Sequence, residues 1–289
     1  MARKPDFLII GAQKCGTTWL WAVLRDHPEV FLPETKELEF FSYAKSRESD
    51  GFGRYLATHF AGAGGARAVG EATPSYFWNS NAHPEYCDKP KGFDLDIPGA
   101  VFERLGSRVR LVLALRDPVQ RAISAYLHHV RKERIDRTRS IFDAGRERGI
   151  LHMGFYFEHL KEWLVRFRME QIHVVILEEA AARPLRAFTA LFRFLGVDPE
   201  FRCKKMHRAI HTGMERVWAE GDLYLPRPGA PPVERPRPGE ATVEPEQPDL
   251  TRMDCVLRSS DVQRLRALYA DDVKGLEGLL GRGLDCWRA

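Results

Sequence analysis

The chain is short of the features that mark membrane, secreted, metal-binding and nucleic-acid-binding proteins. No segment is long and apolar enough to span a bilayer. The apolar run from Phe7 to Ile10, behind Arg3 and Lys4, is too short for a secretory leader. Cysteine is scarce: Cys15, Cys87, Cys203, Cys255 and Cys286 are five in number, odd, and without metal-type spacing. They read as mostly free thiols in a reducing compartment, with one pairing through Cys203 or Cys255 left open, and the expectation is a cytoplasmic protein. No His/Cys cluster appears, so no metal is expected. The net charge of +4 on 289 residues is mild. It suits anionic small molecules, and no basic stripe with interleaved aromatics is present to favour nucleic acid. There is no internal repeat.

What is present looks like an ordinary globular chain, 44% hydrophobic and 29% charged, long enough for a sizeable core. Apolar β-branched runs alternate with helical patterns. Strands are expected at 6–11, 68–71, 109–115 and 172–177, and helices at 17–27, 118–132, 156–167 and 185–195, the last stopped by Gly196. The VRLVLAL run at 109–115 has no polar alternation, as a central parallel strand covered on both faces requires. The order predicts an α/β fold, a doubly wound parallel sheet flanked by helices, in a single domain over 1–289. Residues 225–248 carry a crowd of prolines and read as an extended loop outside the core, a surface excursion or a flap near the substrate. The apolar spacing of 261–280 predicts a tail helix packed back onto the domain.

The most informative stretch is Phe7-Leu-Ile-Ile-Gly-Ala-Gln-Lys-Cys-Gly-Thr-Thr-Trp19. It reads as a buried strand, a glycine-bounded loop and a helix starting at Thr17. Such a loop aims backbone N–H groups and a helix N-terminus at one spot, which makes an anion site. Gly11 and Gly16 keep the glycine spacing of a Walker A loop, but Thr17 stands where that motif has its lysine, and Lys14 lies inside the loop. A phosphate cradle for something other than ordinary ATP chemistry follows. A second constellation, Leu115-Arg-Asp-Pro-Val-Gln-Arg-Ala-Ile-Ser-Ala-Tyr126, puts Arg116 at a strand end and Ser124 one to two turns into the next helix. An arginine fork and a serine hydroxyl there suit a phosphate, and strand carboxyl ends are where α/β folds bind ligands. Taken alone, the segment also fits an Arg–Asp pair capping a helix. Together the two segments imply one ligand with phosphate at two places.

With both in view, the chain resembles the sulfotransferases that use 3′-phosphoadenosine 5′-phosphosulfate (PAPS). G-A-Q-K-C-G-T-T-W-L resembles their 5′-phosphosulfate loop, and R-D-P-V-Q-R-A-I-S-A-Y their 3′-phosphate segment. Lys36-Glu-Leu-Glu-Phe-Phe41, Gly70-Glu-Ala-Thr-Pro-Ser-Tyr76 and Gly154-Phe-Tyr-Phe-Glu-His-Leu-Lys-Glu-Trp163 are similar to the heparan sulfate-type branch, and the tail 279–287 to bacterial members. The resemblance spans most of the chain except the proline-rich stretch, and implies a P-loop-like fold.

The resemblance also implies roles. Lys14 contacts the bridging oxygen and the transferring sulfuryl group. Cys15, Gly16, Thr17 and Thr18 line the 5′-phosphate, and Arg116 and Ser124 bind the 3′-phosphate. Trp19 takes the position of an adenine-stacking tryptophan, a core aromatic being the alternative. Glu37 matches the glutamate of E-x-x-F-F and becomes the general base, with Glu71 its rival as acid or orienting group. Ala72 stands where the related branch often has lysine. The histidine base of cytosolic members has no matching segment; His128 and His129 are expected on a helix beside Ser124. Lys204, Lys205, Arg208 and Arg216 are candidates for covering the 3′-phosphate. Phe40, Phe41, Tyr76, Phe77, Trp78, Phe155 and Tyr156 are candidates for an aromatic acceptor lining. The implied reaction is sulfuryl transfer to a hydroxyl or amine of a sugar, glycolipid head group or secondary metabolite. A P-loop kinase and a non-catalytic PAP- or nucleotide-binding protein are the alternatives.

Overall fold

Five consecutive apolar or small residues form strand β1 (Phe7–Gly11), buried along its whole length. The computed structural model describes residues 3–44, 51–94, 96–207, 217–226 and 253–288. β1 lies at the centre of a five-stranded sheet with β2 (Val30–Phe31), β3 (Ala68–Ala72), β4 (Arg110–Leu115) and β5 (Ile172–Ile176), in the order β2-β3-β1-β4-β5. Every pairing is parallel: Phe7 faces Gly70 on β3 and Arg110 on β4, and Leu111 faces Ile172. β1 and β3 carry no exposed position, as expected when helices cover both faces of a parallel sheet.

The covering helices have local causes. α1 (Thr17–Asp26) starts behind Gly16, and His27 leaves the helix in an extended conformation ahead of Pro28. α2 (Gly51–His59) and α3 (Ile97–Leu105), the latter capped by Asp96, were not expected from the periodicity. α4 (Pro118–Arg131) has Asp117 accepting the Val119 N–H and proline in its first turn. α5 (Tyr156–Leu164) follows, then α6 (Leu177–Ala182) and α7 (Pro184–Leu195), which ends at Gly196 in the left-handed region.

A second, three-stranded antiparallel sheet joins β6 (Val217–Ala219), β7 (Asp222–Pro226) and β8 (Met253–Leu257). It corrects the proline-rich reading at its start: Leu225 is buried in β7 and Pro226 ends that strand, its carbonyl accepting from Arg137 Nη2 at 3.0 Å. The remainder of 225–248 lies outside the described residues. Leu223, Leu225, Val256 and Leu257 join α4 in a second core. The tail helix α8 (Ser259–Leu280) packs on α5 as expected, and its Asp272 accepts the Phe157 and Glu158 N–H groups at 3.0 and 3.2 Å, capping α5. Cys203 and Cys255 are both free thiols, as are the other cysteines. Among the described residues, no helix is long and apolar enough to cross a membrane.

Candidate active site

β3, β1 and β4 are neighbours running in one direction, so the segments leaving their carboxyl ends converge on one edge of the sheet. Chain order departs from β1 to both sides here, the kind of crevice in which open α/β sheets bind ligands.

Behind β1, the Ala12 N–H donates to the Ala114 carbonyl of β4 at 2.7 Å, and the Cys15 N–H donates to the Ala12 carbonyl at 3.2 Å. These bonds fold the loop over the strand end. A Cβ on Gly11 would sit 2.4 Å from Phe77 Cβ, so only glycine lets the loop pass there. Gly16 closes the loop at φ 88°, and α1 begins with no side-chain cap and no acidic residue in its first turn. Its leading N–H groups and dipole favour an anion. Lys14 itself has φ 68°. That conformation costs a residue with a Cβ about 1–2 kcal/mol, and such strain tends to collect at functional sites.

Behind β4 come half-buried Arg116 and helix α4. Tyr156 fastens the two segments: its hydroxyl donates to the Arg116 carbonyl at 2.9 Å and meets Cys15 Sγ at 3.4 Å. From 118 to 130 α4 is buried except at Gln120, Ser124 and His128, four residues apart and therefore on one face. Burial holds the Lys14 ammonium below lysine's ordinary pKa, and the positive charges of Arg131 and Arg116 add to it. Burial, then Lys14 and Arg131, drive His128 down to about 4, so its ring is neutral at pH 7. Its Nδ1 is buried without a hydrogen-bond partner among the described residues. The loop, Arg116 and the α4 face thus surround one positively charged space.

Behind β3, the Glu37 N–H donates to the Ala72 carbonyl at 2.9 Å, which brings the K-E-L-E turn to the same edge. Glu37 and Glu39 both have positive φ, 64° and 57°. The Glu37 carboxylate is exposed and ion-paired to Lys36 Nζ at 2.7 Å, while Glu39 accepts the Ser75 hydroxyl at 2.9 Å.

Several expected contributors lie elsewhere. Trp19 is 2% exposed, edge-on to Phe188 at 5.0 Å, with its Nε1 donating to the Lys205 carbonyl at 2.8 Å. It is a core aromatic and offers no face to an adenine. The Cys15 thiol is buried and pushed up to about 11 by that burial, and its N–H is spent within the loop, so Cys15 shapes the turn. Glu71 is 1% exposed and accepts hydroxyls from Tyr55, Tyr76 and Thr73, which leaves it an orienting group and no rival base. All seven aromatics expected to line an acceptor pocket are buried core; Tyr43 and Phe93, an edge-to-face pair 5.7 Å apart, are half-buried on the Glu39 side. His129 is buried behind His128. Lys205 pairs with Asp26 at 2.7 Å. Arg208 and Arg216 lie outside the described residues.

Sequence reasoning missed Lys36, and Tyr156 as a tie, while the expected place of His128 beside Ser124 on a helix is the one found. The spacing of four from Ser124 was the signal for His128; Lys36 and Tyr156 had none.

A family profile described as a sulfotransferase domain matches residues 4–215. Mouse carbohydrate sulfotransferase 15 is 28% identical, over 68% of this chain and 44% of its own length. Mouse heparan sulfate glucosamine 3-O-sulfotransferase 5 is 25% identical, over 68% of this chain and 54% of its own. The chain thus spans about half the length of these curated relatives. A crystal structure of a sulfotransferase from Alicyclobacillus acidocaldarius superposes with a TM-score of 0.64 at 26% identity, covering 99% of this chain and 100% of that one.

Proposed function

Since the chain belongs to the sulfotransferase domain family, we propose that it moves a sulfuryl group from PAPS to a hydroxyl of a carbohydrate or a related small acceptor. The observation that carries this reading is the common edge: the Lys14 loop, Arg116 with the Ser124 face, and Glu37 follow three adjacent parallel strands. The uncapped α1 N-terminus and the crowding of Lys14, Arg116 and Arg131 fit a ligand with anionic groups at both ends.

In this proposal Lys14 and the amides of Gly16, Thr17 and Thr18 hold the 5′ end of the donor, and Arg116 and Ser124 hold its 3′-phosphate. The donor supplies an activated sulfuryl group. The acceptor oxygen bonds to sulfur as the bond from sulfur to the bridging oxygen breaks, the electron pair stays on the departing 5′-phosphate, and the acceptor proton passes to Glu37. Transfer of this kind depends on positioning and on charge stabilisation at the leaving oxygen. Glu37, exposed beside Lys36, is open to an acceptor. A cytoplasmic location stays part of the proposal, to be tested by fractionation of the native cell.

Incubation with PAPS and a panel of sugars, glycolipid head groups and small alcohols, read as PAP release, tests the reading. Lys14→Ala should cost about 10²–10³ in kcat while the protein stays folded, since one preorganised donor at the leaving group is lost. Normal turnover by that variant refutes the role. PAP binding without transfer to any acceptor indicates a binding protein, and turnover of Mg-ATP a kinase.

A further inference from the structure

The donor reading leaves Lys36, a charged side chain at the cleft, without a task. Lys36 precedes Glu37, and the simplest view makes it a surface partner of its neighbour, a pair that contributes little. Its geometry says more. Its side chain is 13% exposed against 54% for Glu37. The buried stem runs toward α1, and Nζ stands 3.5 Å from Thr17 Oγ1 while keeping 2.7 Å to Glu37 Oε1. Thr17 opens a helix that has no side-chain cap and no acidic residue in its first turn. An ammonium is poorly placed at the positive end of a helix unless an anion joins it. Lys14 faces the same space, and its charge is felt by Glu37. Two ammonium groups and one helix N-terminus therefore share a single exposed carboxylate, and the positive excess lies on the Thr17 side.

We propose that Lys36 is a second donor-binding cation that also positions the base, its ammonium meeting the anionic 5′ end of the donor on the Thr17 side and Glu37 Oε1 on the other. This deepens the sulfotransferase reading and rests on it. Before the donor binds, Lys36 holds the Glu37 carboxylate in place. Once the donor's anionic end occupies the Thr17 side, the ammonium is shared between two anions. Its grip on Glu37 weakens, and the carboxylate is released toward the acceptor only when a donor is present. No proton or electron beyond those of the transfer itself is involved. The groups facing Glu37 in this arrangement are Lys36 from its own turn and Lys14 from the β1 loop.

The test uses the full chain, with PAP as the probe. Lys36→Met should weaken PAP binding about 10- to 100-fold, the usual effect of removing one charge-assisted bond. Lys36→Arg should restore much of the loss. Glu37→Gln should leave PAP affinity at or above wild type, because it removes only the competing anion. In turnover, Lys36→Met should lower kcat at saturating PAPS and leave the KM for the acceptor little changed, since Glu37 has lost the contact that orients it, and Lys36→Arg should restore much of kcat. Thermal melting checks that each variant is folded. Lys36→Met that binds PAP like wild type overturns the proposal and leaves the sulfotransferase reading standing. A wild-type kcat at saturating PAPS in Lys36→Met overturns the positioning role. Wild-type protein that fails to bind PAP overturns both readings together, and the failure is then visible in the wild type.

Discussion

Replacing Glu71 with glutamine sets burial directly against hydrogen bonding. The carboxylate accepts hydroxyls from Tyr55 at 2.8 Å, Tyr76 at 2.7 Å and Thr73 at 2.9 Å, deep under the cleft. Those partners in turn hold the base turn: Tyr76 Oη accepts the Phe41 N–H, and Thr73 Oγ1 accepts the Glu39 N–H. Three hydroxyls favour the ionised form, but burial prevails and Glu71 is pushed up to about 7 from 4.5. Between those values the folded protein keeps a proton that the unfolded chain has released. The stabilisation from this group is therefore complete below pH 4.5 and is lost as pH rises through 7. A displacement of this size corresponds to about 3 kcal/mol. Glutamine does not titrate. The stability difference between wild type and Glu71→Gln should change by about 3 kcal/mol from acid to mildly alkaline pH, with the wild type favoured on the acid side. Urea unfolding of both proteins across that range measures it. Asp272, also pushed up to about 7 by burial, is common to both and cancels. A flat difference, or a slope of opposite sign, means that the three hydroxyl bonds outweigh desolvation, and the reasoning fails.

Trp19→Ala should destabilise the fold by about 3–5 kcal/mol as a core aromatic, whereas Trp19→Phe should stay folded with PAP affinity unchanged; a large affinity loss in the stable Phe variant would place the ring against adenine after all. Gly16→Ala should cost about 1–2 kcal/mol in chemical denaturation, because φ 88° disfavours a Cβ, and PAP affinity should fall with it as the loop shifts; a wild-type denaturation midpoint would count against the strain. His128, neutral because burial and cations hold it near 4, should take up a proton when an anion binds beside it. PAP affinity should then rise as pH falls toward the mildly acidic range, and His128→Gln should flatten that dependence in calorimetric titrations; an unchanged slope would put His128 outside the donor site.

Much of the scaffold was legible from residue order, for physical reasons that act over short distances. Buried strands announce themselves as apolar runs, and helix ends as Asp117-Pro118 or Gly196, because caps and periodicity are properties of a few neighbouring residues. The donor loop was readable in the same way, since Lys14 and Gly16 act through their own backbone angles, whereas Gly11 is required by Phe77, which packs against it from 66 positions away. The misses share an opposite cause. Trp19 is covered by Phe188 and bonded to the carbonyl of Lys205, 186 positions away. Tyr156 reaches Cys15 across 141 positions, and Glu71 draws its hydroxyls from α2 and from the turn after β3. β6, β7 and β8 find their buried side only once α4 is in place.

Local chemistry by itself determined the order of the central strands β1, β3, β4 and β5 with helices α1, α4, α5 and α7, the anion-ready turn after β1 and the arginine after β4. Tertiary packing decided which aromatics are wall and which are core, which of Glu37 and Glu71 reaches solvent, and that Lys36 points at Thr17. Those outcomes depend on which surface is covered by residues far along the chain, and burial of that kind has no local signature.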